Sequence, residues 1–141
     1  MTLDLPAMEM VAKGLLGVPF LHRGRDPSPG LDCSGLAILV YAAGGFDMPD
    51  YVGELQAERD DPVDALALLA RYELVFSRVK TAPAPGDMLI SSFYSDMSDH
   101  VAIVLRNGYA VHAVERIGVI RSKLSLFSGK VVAILRPRLM R

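Results

Sequence analysis

The 141-residue chain has one cysteine, no tryptophan and only 7% aromatic residues. A lone cysteine excludes an internal disulfide, so nothing in the sequence asks for an oxidising compartment. An excess of positive charge is also missing: 15 basic residues stand against 16 acidic ones. That balance argues against a nucleic-acid partner held by phosphate neutralisation. No apolar run reaches the ~18 residues that a membrane helix requires. The first twenty residues lack an export pattern. Asp4 stands where a basic cluster would be, Lys13 cuts the apolar stretch, and no small-residue cleavage site follows. The expectation is synthesis in the cytoplasm without a cleaved signal. Internal repeats and low-complexity tracts are absent as well.

What the chain has in plenty is apolar surface. Apolar residues fill 51% of positions, net charge is −1 and mean hydropathy is +0.30. Such a chain is too apolar and too weakly charged to be disordered. Its length fits one domain, residues 1–141, which would bury roughly two-thirds of its unfolded surface. The apolar surplus is expected in a tight core and in a partner interface.

Met8, Val11, Ala12, Leu15 and Leu16 follow three-four spacing, which predicts a helix over 5–16 ended by Gly17 and Pro19. Residues 23–31 read as a turn-rich loop. Asp32 is a candidate N-cap for a helix from Cys33 to Ala43 that is apolar nearly all round and stopped by Gly44-Gly45. Residues 46–61 read as a polar loop, a candidate cover for one side of a groove. Asp61-Pro62 is expected to open a further helix with Val63, Leu66, Leu69 and Ala70 on its apolar stripe.

Thr81 to Gly86 is a proline-rich connector, beyond which the apolar period becomes two. Strands are predicted at 87–93, 99–106, 109–115, 117–122 and 130–136, with Asn107-Gly108 as a hairpin turn. Helices first and meandering strands second imply an α+β fold, with N-terminal helices packed on a C-terminal antiparallel sheet.

Cys33 stands at the first turn of a predicted helix, where unpaired backbone N–H groups and the helix dipole favour an anion. A thiolate is such an anion and is the reactive form of the thiol. A nucleophilic thiol works best beside a base, and the chain offers only His22, His100 and His112. His100 opens one predicted strand and His112 lies on the next. A strict two-residue turn at Asn107-Gly108 would place the two on opposite faces and set Glu115 opposite His100. An odd-length loop or a bulge restores a shared face. A ladder offset of four residues, roughly 13 Å, would then separate them, so Glu115 stands as the alternative orienter. Zinc held by Cys33, His100 and His112 is disfavoured, because close ligand pairs and a fourth ligand are missing. Neither a metal nor an organic cofactor is expected.

Leu31-Asp32-Cys33-Ser34-Gly35-Leu36 resembles the nucleophile motif of the NlpC-type peptidases, papain-like cysteine enzymes that cut bacterial cell-wall peptides. Upstream, Gly17-Val18-Pro19-Phe20 is similar to that family's Gly-Thr-Pro-Tyr segment. Downstream, Pro85-Gly86-Asp87-Met88 resembles its Pro-Gly-Asp-Leu strand. His100-Val101-Ala102-Ile103 resembles its His-Val-Gly-Ile strand, with the second histidine at His112 and the closing strand at Val132 to Pro137. The likeness runs over residues 10–137. Phe20 departs from the family pattern, removing a tyrosine hydroxyl. Pro19-Phe20-Leu21-His22-Arg23-Gly24-Arg25 is similar to a subgroup found with phage tails and gene-transfer particles.

The resemblance implies a papain-like domain with Cys33 as nucleophile, His100 as general base and then acid, and His112 as its orienter. It places Asp32 and Ser34 where the free amino end of a peptidoglycan stem peptide would lie, with His22 lining the groove. The bond cut would be the γ-D-glutamyl to diamino-acid amide, at the cell wall, as part of a phage tail or tail-like particle. A non-catalytic tail-assembly subunit of the same fold and a thiol acyltransferase are the alternative roles.

Overall fold

The computed structural model describes residues 2–58, 65–92 and 100–139. Helix α1 spans Leu5–Leu15. The Asp4 carboxylate accepts from the Ala7 N–H at 3.1 Å, and Met8 and Ala12 are its buried residues. Gly17, at φ +88°, lets the chain turn away beyond the helix end. The expected loop 23–31 carries a short antiparallel pair, β1 (Arg25–Asp26) with β2 (Gly30–Leu31). Helix α2 covers Cys33–Ala43 as expected and buries Leu36, Ala37, Val40 and Tyr41.

The polar reading of 46–61 needs correction, because Tyr51–Glu58 forms helix α3. Asp50 starts it. Its Oδ1 accepts from the Gly53 N–H at 2.9 Å, and its carbonyl accepts from Glu54. A glycine in the first turn and little apolar periodicity hid this helix from pattern reading. Helix α4 is Ala65–Tyr72. Asp61, Pro62 and Val63 lie outside the described residues. The side chain of Leu66 also lies outside the described ones; among residues 67–72 the buried positions are Leu68 and Tyr72, four apart, while Ala70 is exposed and Leu69 only partly covered.

The sheet has six strands: β3 (Phe76–Val79), β4 (Met88–Ser91), β5 (His100–Val104), β6 (Tyr109–Val114), β7 (Gly118–Lys123) and β8 (Val131–Pro137). Their order is β3-β8-β4-β5-β6-β7, antiparallel throughout. β3 was not expected. It precedes the proline connector, so the change from helix to strand falls earlier than the composition suggested. Only Phe76 of its four residues is buried, which leaves little alternation to read.

Strand alternation divides the core. Val101, Ile103, Val111 and Ala113 join Leu36, Val40 and Tyr41 of α2 in the main cluster. Leu89, Ala102, Val104 and Ala110 occupy the other face, under Phe127 from the 3-10 turn Leu124–Phe127. Full burial of each Val, Leu, Ile or Phe side chain among these stabilises by about 1.5–3 kcal/mol.

The Pro85-Gly86-Asp87 segment anchors helices to sheet. Gly86 takes φ +93°, and its carbonyl accepts from the Tyr41 hydroxyl at 2.9 Å. The Asp87 carboxylate is 1% exposed and takes two hydrogen bonds from Arg136 of β8, at 2.8 and 2.9 Å, plus one from Ala84 N–H at 2.8 Å. Replacing it leaves the Ala84 N–H without its acceptor and releases the Arg136 guanidinium, 49% exposed, to water. Asp87→Ala is expected to lower the free energy of unfolding in urea by about 1–2 kcal/mol. A midpoint equal to that of the native chain would show that the carboxylate holds nothing together.

Candidate active site

The start of α2 is built around one carboxylate. Asp32 Oδ1 accepts from the Gly35 N–H at 2.7 Å, closing the first turn, and from Arg25 Nη1 at 2.7 Å. Arg25 turns its Nε and Nη2 to Asp50, at 2.7 and 3.0 Å. Burial opposes the guanidinium charge. The hydrogen bonds to Asp50 and Asp32, and the charges of both, outweigh it and raise the Arg25 pKa. Burial likewise works against the Asp50 carboxylate, yet Arg25 and the Gly53 N–H hold its pKa below the usual range. The β1–β2 pair, the start of α2 and the start of α3 therefore share one ionic knot.

Gly35 is required by space. A Cβ there would stand 2.2 Å from the Gly24 carbonyl oxygen, which also accepts from the Asp32 N–H at 3.3 Å. The Cys33-Ser34-Gly35 run thus has a local cause, since the loop before β1 lies directly on the helix. Cys33 is partly buried at the first position of α2, and Ser34 is 3% exposed.

Helix α2 packs on β5 and β6, the strands that carry the histidines. The turn between them is three residues, Arg106–Gly108, with Asn107 and Gly108 at φ +67° and +77°. Ile103 then faces Val111, and Val104 faces Ala110. Continuing that register sets His112 against Ala102, so His100 is two residues along on the same face. The expected offset of four residues was too large by two. His100 Nε2 and His112 Nδ1 are 2.7 Å apart, with ring centroids 4.9 Å apart and planes at 82°. Glu115 is exposed in the turn after β6, and the place beside His100 belongs to His112.

Further features around the pair and the helix start were not foreseen. Ser122 Oγ of β7 lies 2.8 Å from His112 Nε2, and the Phe127 ring stands 5.1 Å from the His112 ring. Ser91 of β4 directly opposes His100. Ser122 could not be located without the β6–β7 register, because a serine near a strand end carries no signal of its own. Tyr72 is also buried near the helix start. Burial pushes its pKa well up and keeps its hydroxyl protonated. Of the remaining candidates, Asp32 is bonded as described and His22 is exposed in the turn before β1, outside the buried imidazole pair. Among the described residues, no group of three or more His, Cys, Asp or Glu is placed to hold a metal ion.

His100 is 9% and His112 3% exposed. Burial lowers the pKa of His100 to about 4; burial, and then the charge of His100, lowers that of His112 to about 4. Both rings are therefore neutral at pH 7. Unfolded histidine protonates near 6.5, so between that pH and 4 the unfolded chain binds more protons. Folding stability is expected to fall by a few kcal/mol, on the order of 1.4 per pKa unit, as pH drops through this window. Urea unfolding at pH 7 and pH 4.5 checks it, and the double variant His100→Gln/His112→Gln is expected to flatten the slope. An equal slope in that variant would place the acid sensitivity elsewhere.

Comparison with known proteins agrees with this fold. The profile of the NlpC/P60 family matches residues 17–136. None of the curated proteins matches the chain. Among solved structures, NlpC1 from Trichomonas vaginalis superposes with a TM-score of 0.71 at 21% identity, over 98% of this chain and 45% of that one. A lipoprotein-like NLP/P60 protein from Staphylococcus aureus gives 0.68 at 22% identity, over 96% and 42%. The NlpC/p60 domain of the peptidoglycan hydrolase SagA gives 0.61 at 25% identity, over 94% and 97%. The chain thus spans less than half of the first two proteins and nearly all of the third. With its helices on a six-stranded antiparallel sheet and its profile match over most of its length, the chain belongs to the NlpC/P60 family.

Proposed function

We propose that this chain is a cysteine peptidase that hydrolyses peptidoglycan stem peptides at the γ-D-glutamyl to diamino-acid amide. The observation that carries the reading is the buried, hydrogen-bonded His100–His112 pair on strands that pack against the helix headed by Cys33. Membership of the NlpC/P60 family and the likeness to the peptidoglycan hydrolase SagA support the substrate class.

In this mechanism His100 takes the thiol proton and the Cys33 thiolate attacks the amide carbon. The first-turn backbone N–H groups at Cys33 and Ser34 meet the developing oxyanion, while that of Gly35 stays with Asp32. The protonated His100 gives its proton to the leaving amine as the C–N bond breaks. Water, deprotonated by His100, then cleaves the thioester and regenerates the thiol. The two imidazoles share the sheet face of Ala102 and Ala110, opposite the apolar stripe of α2. In this reading the thiol reaches the base around the end of β5, where His100 is the first strand residue.

Asp32 and Ser34 border the position of the free amino end of the stem peptide. Asp32, Arg25 and Asp50 together carry one negative charge, which suits an ammonium group. The Pro19 to Arg25 segment supports delivery to the wall in a phage tail or tail-like particle. In that setting, the scattered exposed side chains Met10, Leu74 and Ile117 are available to tail proteins.

Purified muropeptides with mass identification of products test the reading. Cys33→Ala and His100→Ala are expected to abolish cleavage while leaving the fold intact. His112→Ala should retain a residual rate, because an orienter is less essential than the base. Full cleavage by Cys33→Ala would reject the assignment. An inert native chain whose Cys33 resists iodoacetamide below pH 8 would indicate a non-catalytic subunit of the same fold. Amide transfer products in place of free acid would identify an acyltransferase.

A further inference from the structure

His112 lies between two neighbours, with Nδ1 2.7 Å from His100 Nε2 and Nε2 2.8 Å from Ser122 Oγ. A neutral imidazole carries one N–H, so one of these contacts donates and the other accepts. Only two arrangements satisfy both. In the first, His100 Nε2–H donates to His112 Nδ1, and His112 Nε2–H donates to Ser122. His100 Nδ1 then carries no hydrogen and presents its lone pair, competent to take a proton. In the second, the Ser122 hydroxyl donates to His112 Nε2, and His112 Nδ1–H donates to His100 Nε2. His100 then carries its proton on Nδ1 and has no lone pair left for a thiol.

We propose that Ser122 is the positioning residue that sets the tautomer of the pair, by accepting from His112 Nε2–H and leaving His100 able to act as base. Three observations carry this. Ile120 is the register partner of His112, so Ser122, two residues on, shares its face and sits diagonal to it. Ser122 is only partly buried, so its own hydroxyl proton can turn to solvent while its lone pairs face the ring. Phe127, at 5.1 Å, closes another side of the ring with an apolar group that accepts no strong hydrogen bond. The first arrangement is also the one that remains satisfied when His100 is protonated, since its Nε2–H still has an acceptor.

The catalytic part of this inference rests on the proposed peptidase reading; the tautomer itself does not. Ser122→Thr and Ser122→Val have the same shape and differ in the hydroxyl. With muropeptide substrate, Val is expected to lower kcat about tenfold or more at unchanged KM, while Thr stays near the native rate. Ring 15N NMR at pH 7 should show His112 protonated at Nε2 in the native and Thr chains, and on Nδ1 or mixed in Val. Nδ1 protonation in the native chain, or a Val variant with native tautomer and native kcat, overturns the proposal. If the native chain cleaves no muropeptide but the Val tautomer changes, the role of Ser122 stands and the substrate reading falls.

Discussion

The Asp32 carboxylate is the constraint on which the Cys33 end of the molecule depends. It closes the first turn of α2 through Gly35 and holds Arg25, which in turn grips Asp50 at the head of α3. Each ion is partly withdrawn from water, so each needs the others to offset its lost hydration. The consequence is mechanical. The helix that presents Cys33 cannot shift without moving the β1–β2 pair and α3, and the Gly24 carbonyl pressed on Gly35 leaves no slack between loop and helix.

The second half of the site is made by the sheet. Adjacent strands β5, β6 and β7 each contribute one polar side chain to the same face, His100, His112 and Ser122, amid Ala102, Ala110 and Phe127. Small alanines give the imidazoles room, and the apolar surround keeps both rings uncharged near neutrality. In such surroundings, hydrogen-bond direction along the row has more weight than it would in water. The state of His100 is thus shaped by neighbours on the two strands beyond its own.

Much of this was legible in the amino-acid order. Helices α1 and α2 and the five strands from β4 onward lie within one or two residues of their predicted ends, because their apolar periods are long and their stops are glycines. Cys33, His100 and His112 were legible from residue chemistry and order. What escaped depended on partners distant in sequence. Helix α3 is started by Asp50, a residue that reads equally well as loop, and is held by Arg25, 25 positions away. β3 is an edge strand that pairs with β8 across more than fifty residues and buries only Phe76. Ser122 acquires meaning only from the β6–β7 register. Arg25, in a stretch that reads as a turn-rich loop, is bound to two carboxylates of its own chain.

The three-residue turn at Arg106–Gly108 has a consequence for how such a chain can change over time. Side chains alternate along a strand, so a one-residue slip of β5 against β6 would turn one histidine, together with its apolar neighbours, to the far side of the sheet. Val101, Ile103, Val111 and Ala113 oppose such a slip, because it would carry them out of the main core. An extra residue at this bend must therefore be taken up by the loop, and length is free to vary there only while the ladder behind it stays in step.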